Sequence, residues 1–298
     1  MSPYFKKLLF VAAFPVFPAL CLSFCHTQKP SPVTEVVPLD LPYDLQNPSL
    51  TITFDNEDLK EISALSPSDE KGSFLAISDE RGEFFFIDAN NNGAIIRRVL
   101  FREKGDFEGA EMVENTLWAL KSDGKLFEVS NWKSGMLYVE EFATPLKKED
   151  DVEGLGYDAS RHTLLLACKG DPDSAYLRLI YGFDLNTKKM QDKPLYAIDP
   201  KAVNLLVPYI ESEKQDFFSP SGVAKHPLTG DIYVISTALK RLVVLDKDSG
   251  KIRFATRLDK KIMPQPEGIA FDTAGNLYIS SEGKRDNGQM LKFNYRNK

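Results

Sequence analysis

The chain has 298 residues, 43% of them hydrophobic and 27% charged, with 18 glycines and 18 prolines. That is an ordinary globular composition, enough for one large domain with a sizeable core. The net charge of −6 argues against a nucleic-acid partner, which needs a basic surface. Two of the three cysteines, Cys21 and Cys25, lie near the start, so Cys168 has no disulfide partner in the rest of the chain; its apolar run LLLACKG reads as a strand in which it is a small buried core residue.

Residues 1–24 read as an export signal. Lys6 and Lys7 form a positive n-region, and Leu8 to Phe24 is an apolar run broken by Pro15 and Pro18, short for a membrane span. Leu22-Ser23-Phe24-Cys25 resembles a bacterial lipobox, whose Cys becomes the lipidated first residue; Leu22 and Ser23 fit that pattern, and Phe24 departs from the small residue usual there. Cys25 is therefore the expected lipidation site, with simple secretion as the alternative. Residues 25–48 are rich in Pro and polar groups and suit a tether between a lipid anchor and a domain.

From about residue 49 to the end a unit recurs. Glu61 opens EISALS, Glu108 sits in DFEGAE, Glu153 in DVEGLGYD, Ser221 in SPSGVAKH and Glu267 in QPEGIAFD, at steps of 47, 45, 68 and 46 residues. A period near 45 is that of four-stranded propeller blades. Each opening is followed by a second strand (FLAISDERG, TLWALKSDG, TLLLACKGD, DIYVISTAL, NLYISSEGK) and a third (EFFFID, KLFEVS, LIYGFDL, RLVVLD, MLKFNY). These are short β-branched and aromatic runs bounded by Gly, Asp and Asn, with turns such as Ser122-Asp123-Gly124 between them. Four units carry a fourth strand (AIIRRVLF, MLYVEEF, KPLYAID, KIRFATRL). The fifth lacks one, and LTITFD, from Leu50, supplies it from the other end. The expected fold is all-β: a five-bladed β-propeller of four-stranded antiparallel blades, closed by an N-terminal strand, with no free edge between its ends. The long step carries an insertion at Ile198 to Phe218, in which Val203, Leu206, Val207 and Ile210 have helical spacing and Pro200 suits a first turn. It reads as a packing helix, or as a lid over the ring.

In a propeller the first strands line the central channel, so Glu61, Glu108, Glu153, Ser221 and Glu267 are expected to converge at one mouth. Carboxylates that close are protonated, salt-bridged or gathered around a cation. An oxygen-only set favours a hard ion such as Ca²⁺; the alternative is that the glutamates cap strands or pair with Lys121 and Lys169. A second ring at the ends of the second strands, Asp79, Lys121, Lys169, Ser236 and Glu282, either meets a polar ligand or consists of ordinary loop residues. The glycines after the ring position, Gly109, Gly154, Gly222 and Gly268, are expected to let backbones approach near the axis. Asp88–Gly93 matches half of an EF-hand loop but lacks the acidic twelfth residue, Val99 standing there, and reads as a hairpin turn.

Together EISALS, DFEGAE, DVEGLGYD, FSPSGVAKHPLTGDIYVIS and QPEGIAFDTAGNLYISSEG resemble the SdiA-regulated family, the bacterial envelope proteins of the YjiK type, and more distantly NHL-repeat and regucalcin-type propellers. The resemblance implies a five-bladed propeller with a bound calcium ion; Ser221, which stands where the repeat has an acid, lowers that blade's share in binding. Three functions are open at this point: a non-enzymatic calcium-binding module of the cell envelope acting on a small-molecule, glycan or protein ligand; a lactonase- or phytase-like hydrolase using the ion as Lewis acid; and a structural propeller without metal. The chain is expected to be a lipid-anchored monomer.

Overall fold

Five antiparallel sheets follow one another along the chain, each a blade of a β-propeller. The computed structural model describes residues 40–170, 176–211, 213, 216–283 and 287–296. The expected export signal, Cys25 and the expected tether as far as residue 39 lie outside the described residues. Blade 1 runs Ile62–Pro67, Ser73–Ser78, Arg81–Asp88, Ala94–Arg102, and blade 2 runs Phe107–Val113, Thr116–Lys121, Leu126–Ser130, Tyr138–Phe142. Blade 3 has Val152–Asp158, Thr163–Cys168 and Arg178–Asp184, and blade 4 has Gly222–Lys225, Ile232–Ser236, Arg241–Leu245 and Ile252–Arg257. Blade 5 takes Pro266–Phe271, Leu277–Ser281 and Gln289–Phe293 from the end of the chain. Its fourth strand is Leu50–Thr53, paired antiparallel so that Leu50 faces Lys292 and Thr53 faces Gln289. This closure is the one expected from sequence.

The core lies between blades. On the second strand of blade 2, Leu117 and Ala119 pack toward blade 1, while Trp118 and Leu120 pack toward blade 3. In blade 3, Leu164 and Leu166 face blade 2 and Leu165 and Ala167 face blade 4. Both faces of these strands are buried, which explains why TLWALK and TLLLAC read as continuous apolar runs and not as alternating ones. Burying a side chain of this size contributes about 1.5–3 kcal/mol. The outer strands, such as Tyr138–Phe142, are largely exposed. Cys168 is buried, and burial pushes its thiol up to about 12, as a core role requires. Asp88–Gly93 is a hairpin connection: Asp88 Oδ1 accepts from Asn90 N–H, and Asn92 and Gly93 take positive φ.

Three details differ from the sequence reading. The outer edge of blade 3 is split into Lys189–Met190 and Tyr196–Ile198, so KPLYAID supplies only half of it. Residues 41–48 are not tether. Leu41, Tyr43 and Leu45 are buried between blades 4 and 5, and the Tyr43 hydroxyl donates to the Gly275 carbonyl at 2.6 Å and meets His226 Nε2 at 2.8 Å. Three apolar residues spaced by two form an extended buried face that the surrounding Pro and Asp conceal. Finally, the insertion helix is only Pro200–Leu206. Val203 is buried beneath blades 3 and 4, whereas Leu206 and Ile210 are 59% and 47% exposed. Pro208 follows the helix and, with no N–H to donate, ends the helical run.

The insertion is pinned by charge. Arg241, fully buried, grips both carboxylate oxygens of Glu213 at 2.8 and 2.9 Å, and Arg257 adds a bond at 2.9 Å. This fits packing and not a lid. Glu213→Ala strands a buried guanidinium and is expected to cost about 3–5 kcal/mol in urea unfolding; a loss below 1 kcal/mol contradicts the role given to it.

The axial glycines behave as their position suggests. A Cβ on Gly109 would lie 2.4 Å from Leu155, on Gly222 2.4 Å from the Glu267 carbonyl oxygen, and on Gly268 2.6 Å from Leu65 N. Each glycine thus admits the innermost strand of the next blade. Gly222→Ala, which presses on backbone, is expected to lower stability by about 1–3 kcal/mol, again measured by urea unfolding.

Candidate functional site

The innermost strands of blades 1, 2, 3 and 5 carry a bulge at the ring position. In blade 2 the register steps from Phe107↔Lys121 to Gly109↔Leu120, leaving Glu108 unpaired; Glu153 and Glu267 lie in the corresponding steps of blades 3 and 5. In blade 1 the step runs from Ile62↔Ser78 to Ala64↔Ile77, so the bulged residue is Ser63. The ring is therefore Ser63, Glu108, Glu153, Ser221 and Glu267. Glu61 lies two residues outside it and is exposed. The sequence places EISALS by its acid, but the strand falls into line by its packing, with Ala64 in the place of Gly109. With Ser63 the first two steps become 45 and 45 residues, a cleaner period that was the available signal.

Glu108, Glu153, Ser221 and Glu267 line one axial recess of about 10 Å³, room for about one water or ion. Leu65, Leu155, Val223 and Ile269 close it from below. The channel at this mouth is thus a shallow plugged cup and not an open pore. The bulge turns each glutamate toward the axis, where water is scarce. Burial, then Glu153 and Asp106, push Glu108 up to about 8. Burial raises Glu153 to about 7 against the pull of Lys169. Burial, then Glu153 and Glu282, hold Glu267 well above the carboxylate range. Desolvation dominates in all three.

Lys169 bonds Glu153, with Asp151 at 3.8 Å. Burial lowers its pKa, and the attraction of Glu153 and Asp151 outweighs that, so it stays charged. Lys121 pairs instead with Asp123 at 3.8 Å. Ser221 Oγ donates to the Pro266 carbonyl at 2.8 Å, and Thr237 Oγ1 donates to the same oxygen. Among the described residues no three His, Cys, Asp or Glu side chains are grouped, as they stand, so that they could hold a metal ion.

The second ring also shifts. Phe107 N–H donates to the Asp79 carbonyl and Val152 N–H to the Ser122 carbonyl, so Asp79 and Ser122 are equivalent; Lys169, Thr237 and Glu282 complete the set. Lys121 and Ser236 stand one residue early, and in a strand one residue reverses the face. Ser122 donates to Asp106, and Glu282 accepts from Gln265. Burial, then Asp79 and Glu61, raise Glu282 to about 7. Asp79 Oδ1 is buried without a hydrogen-bond partner among the described residues. Glu61 thus joins this outer layer through the field it exerts. A larger cavity, about 660 Å³, lies elsewhere, beside Glu213 and Arg257, and none of the ring residues lines it.

Comparison with known proteins agrees with this architecture. The model of the SdiA-regulated family matches residues 46–285. The glutaminyl cyclase of Myxococcus xanthus is similar in structure, with a TM-score of 0.54 and 11% identity over 84% of this chain and 96% of that one. A luciferin-regenerating enzyme gives 0.50 and 9% identity over 83% and 95%. At such identities the likeness concerns the fold alone.

The buried acids make stability pH-dependent. Their folded pKa values exceed the unfolded 4.5, so their contribution is fully present below about pH 4.5 and is lost as pH rises through 7 to 8. In chelator, thermal unfolding is expected to show Tm falling from pH 5 to 8.5, and Glu108→Gln is expected to flatten that fall; parallel curves for the two proteins contradict it.

Proposed function

The chain belongs to the SdiA-regulated family, and we propose that it is a non-enzymatic binding or scaffolding propeller whose acidic mouth takes up calcium. The observation that carries this reading is the ion-sized cup between Glu108, Glu153 and Glu267, whose charge, once the three are ionised, a single lysine cannot offset. Carboxylate oxygens are the donors calcium prefers, and an ion there would replace protons as the source of neutrality. Glu108, Glu153 and Glu267 would hold it, with Ser221 contributing little because its hydroxyl is engaged with Pro266. Uptake requires Lys169 to withdraw from Glu153. The outer layer of Asp79, Ser122, Lys169, Thr237 and Glu282 is then the surface that meets a small-molecule, glycan or protein ligand. The export signal and the lipobox-like Cys25 support a place in the bacterial cell envelope, tethered to a membrane.

Binding is favoured over hydrolysis by what the candidate nucleophile touches. Ser221 donates to a carbonyl and not to a base. His162 and His226 pair with Tyr157 and Tyr43, away from the mouth.

Metal-stripped full-length protein titrated with calcium is expected to gain Tm in proportion to RT ln(1 + [Ca²⁺]/Kd), with a much smaller response to magnesium, which demands tighter octahedral geometry. Glu108→Gln and Glu267→Gln are each expected to remove the response. Calcium content and Tm unchanged in both variants would eliminate the metal site.

A further inference from the structure

The opposite end of the axis holds a second pocket, of about 200 Å³, to which all five blades contribute: Pro67 from blade 1, Glu111 and Met112 from blade 2, Tyr157 from blade 3, Lys225 from blade 4 and Phe271 from blade 5. It is separated from the acidic cup by the plug of Leu65, Leu155, Val223 and Ile269. Glu111 lies three residues beyond Glu108 on one strand, about 10 Å further along the axis.

The register explains why the pocket exists. The residues equivalent to Glu111 are Ser66, Gly156, Ala224 and Ala270. Four small side chains leave a space at this level, and one acid occupies its wall. Glu111 is 7% exposed and meets no cation and no side-chain donor among the described residues; its own neighbour, the Met112 amide, is what it has. The nearby Lys225 is already committed, its Nζ bonding Asp158 and Ser160 at 2.6 and 2.7 Å. At the same level Ser66 Oγ is unsatisfied: it is buried, the residue 1% exposed, with no hydrogen-bond partner among the described residues. Buried polar groups are nearly always paired, and each exception calls for an explanation. Burial accordingly raises the Glu111 carboxyl to about 8.

We infer that this far pocket binds a small organic ammonium ion, whose charge is neutralised by Glu111 and whose hydrocarbon part rests on Met112, Tyr157 and Phe271. Asp272 also lines the pocket, but its oxygens already accept from the Ala274 and Asn276 amides and the Asn276 side chain; the one uncommitted carboxylate, Glu111, beside a largely apolar wall suits an alkylammonium better than a metal, which needs several oxygens. A cation here supplies the partner that the fold withholds, and binding releases the proton that Glu111 otherwise keeps. The site is independent of calcium at the other mouth.

The test uses full-length protein in chelator at pH 7.5, with n-butylammonium as probe and n-butanol and butyrate as shape-matched controls, followed by calorimetry in buffers of different ionisation enthalpy. Expected are binding of the ammonium about tenfold or more tighter than of either control, proton release on binding, and loss of that preference in Glu111→Gln but not in Glu108→Gln. The probe comparison in the unaltered chain stands even if a variant folds poorly. Equal affinity for ammonium and alcohol, no binding of the ammonium, or an undiminished preference in Glu111→Gln overturns the proposal. Loss of calcium uptake in Glu108→Gln with this preference intact separates the two sites.

Discussion

The close approach of the innermost strands around the axis is the constraint on which the rest depends. Gly109, Gly222 and Gly268 stand where a Cβ would strike the next blade, Gly154 stands where one would press on it at 3.2 Å, and Ala64 holds the same place in blade 1. Because those strands nearly touch, the blades bury both faces of their second strands against each other, and five shared clusters of apolar side chains replace a single central core. Because they nearly touch, too, the axis holds little water, and any acid projected into it loses hydration.

That loss governs the chemistry of both ends of the ring. At one end Glu108, Glu153 and Glu267 share a cup, with one lysine bonded to Glu153, and desolvation outweighs every other influence on their protonation. At the other end Glu111 is alone among small residues, and the same cause keeps its proton in place. Carboxylates that would be ionised on the surface are held here in a state that a cation can displace. The two mouths differ in number of free acids and in walls: several oxygens around a point-sized recess at one, a single uncommitted acid beside a largely apolar pocket at the other. The same physics therefore favours a hard metal ion at the first and an organic cation at the second.

The insertion between blades 3 and 4 and the segment at 41–45 add support from outside the ring. Glu213 satisfies the buried Arg241 and so ties the insertion to blade 4. Tyr43 and His226 do the same for the N-terminal segment beneath blades 4 and 5, and burial lowers His226 to about 4, so the imidazole is neutral and its Nδ1 accepts from two backbone amides. Both are long-range pairings, 28 and 183 residues apart.

The sequence by itself determined the blade count, the strand order within each blade and the closing strand, because a repeated local pattern of apolar runs and turns reports directly on repeated local structure. It also determined which acids recur before a glycine. It did not determine the level of each residue along the axis. Ser63 replaces Glu61, two residues away, in the inner ring, and Ser122 and Thr237 replace their neighbours Lys121 and Ser236 in the outer one, since only the paired strand reveals where a bulge or a strand end falls. Glu111 was equally invisible: its significance arises from the small residues of four other blades, which come to its level only when the ring has closed.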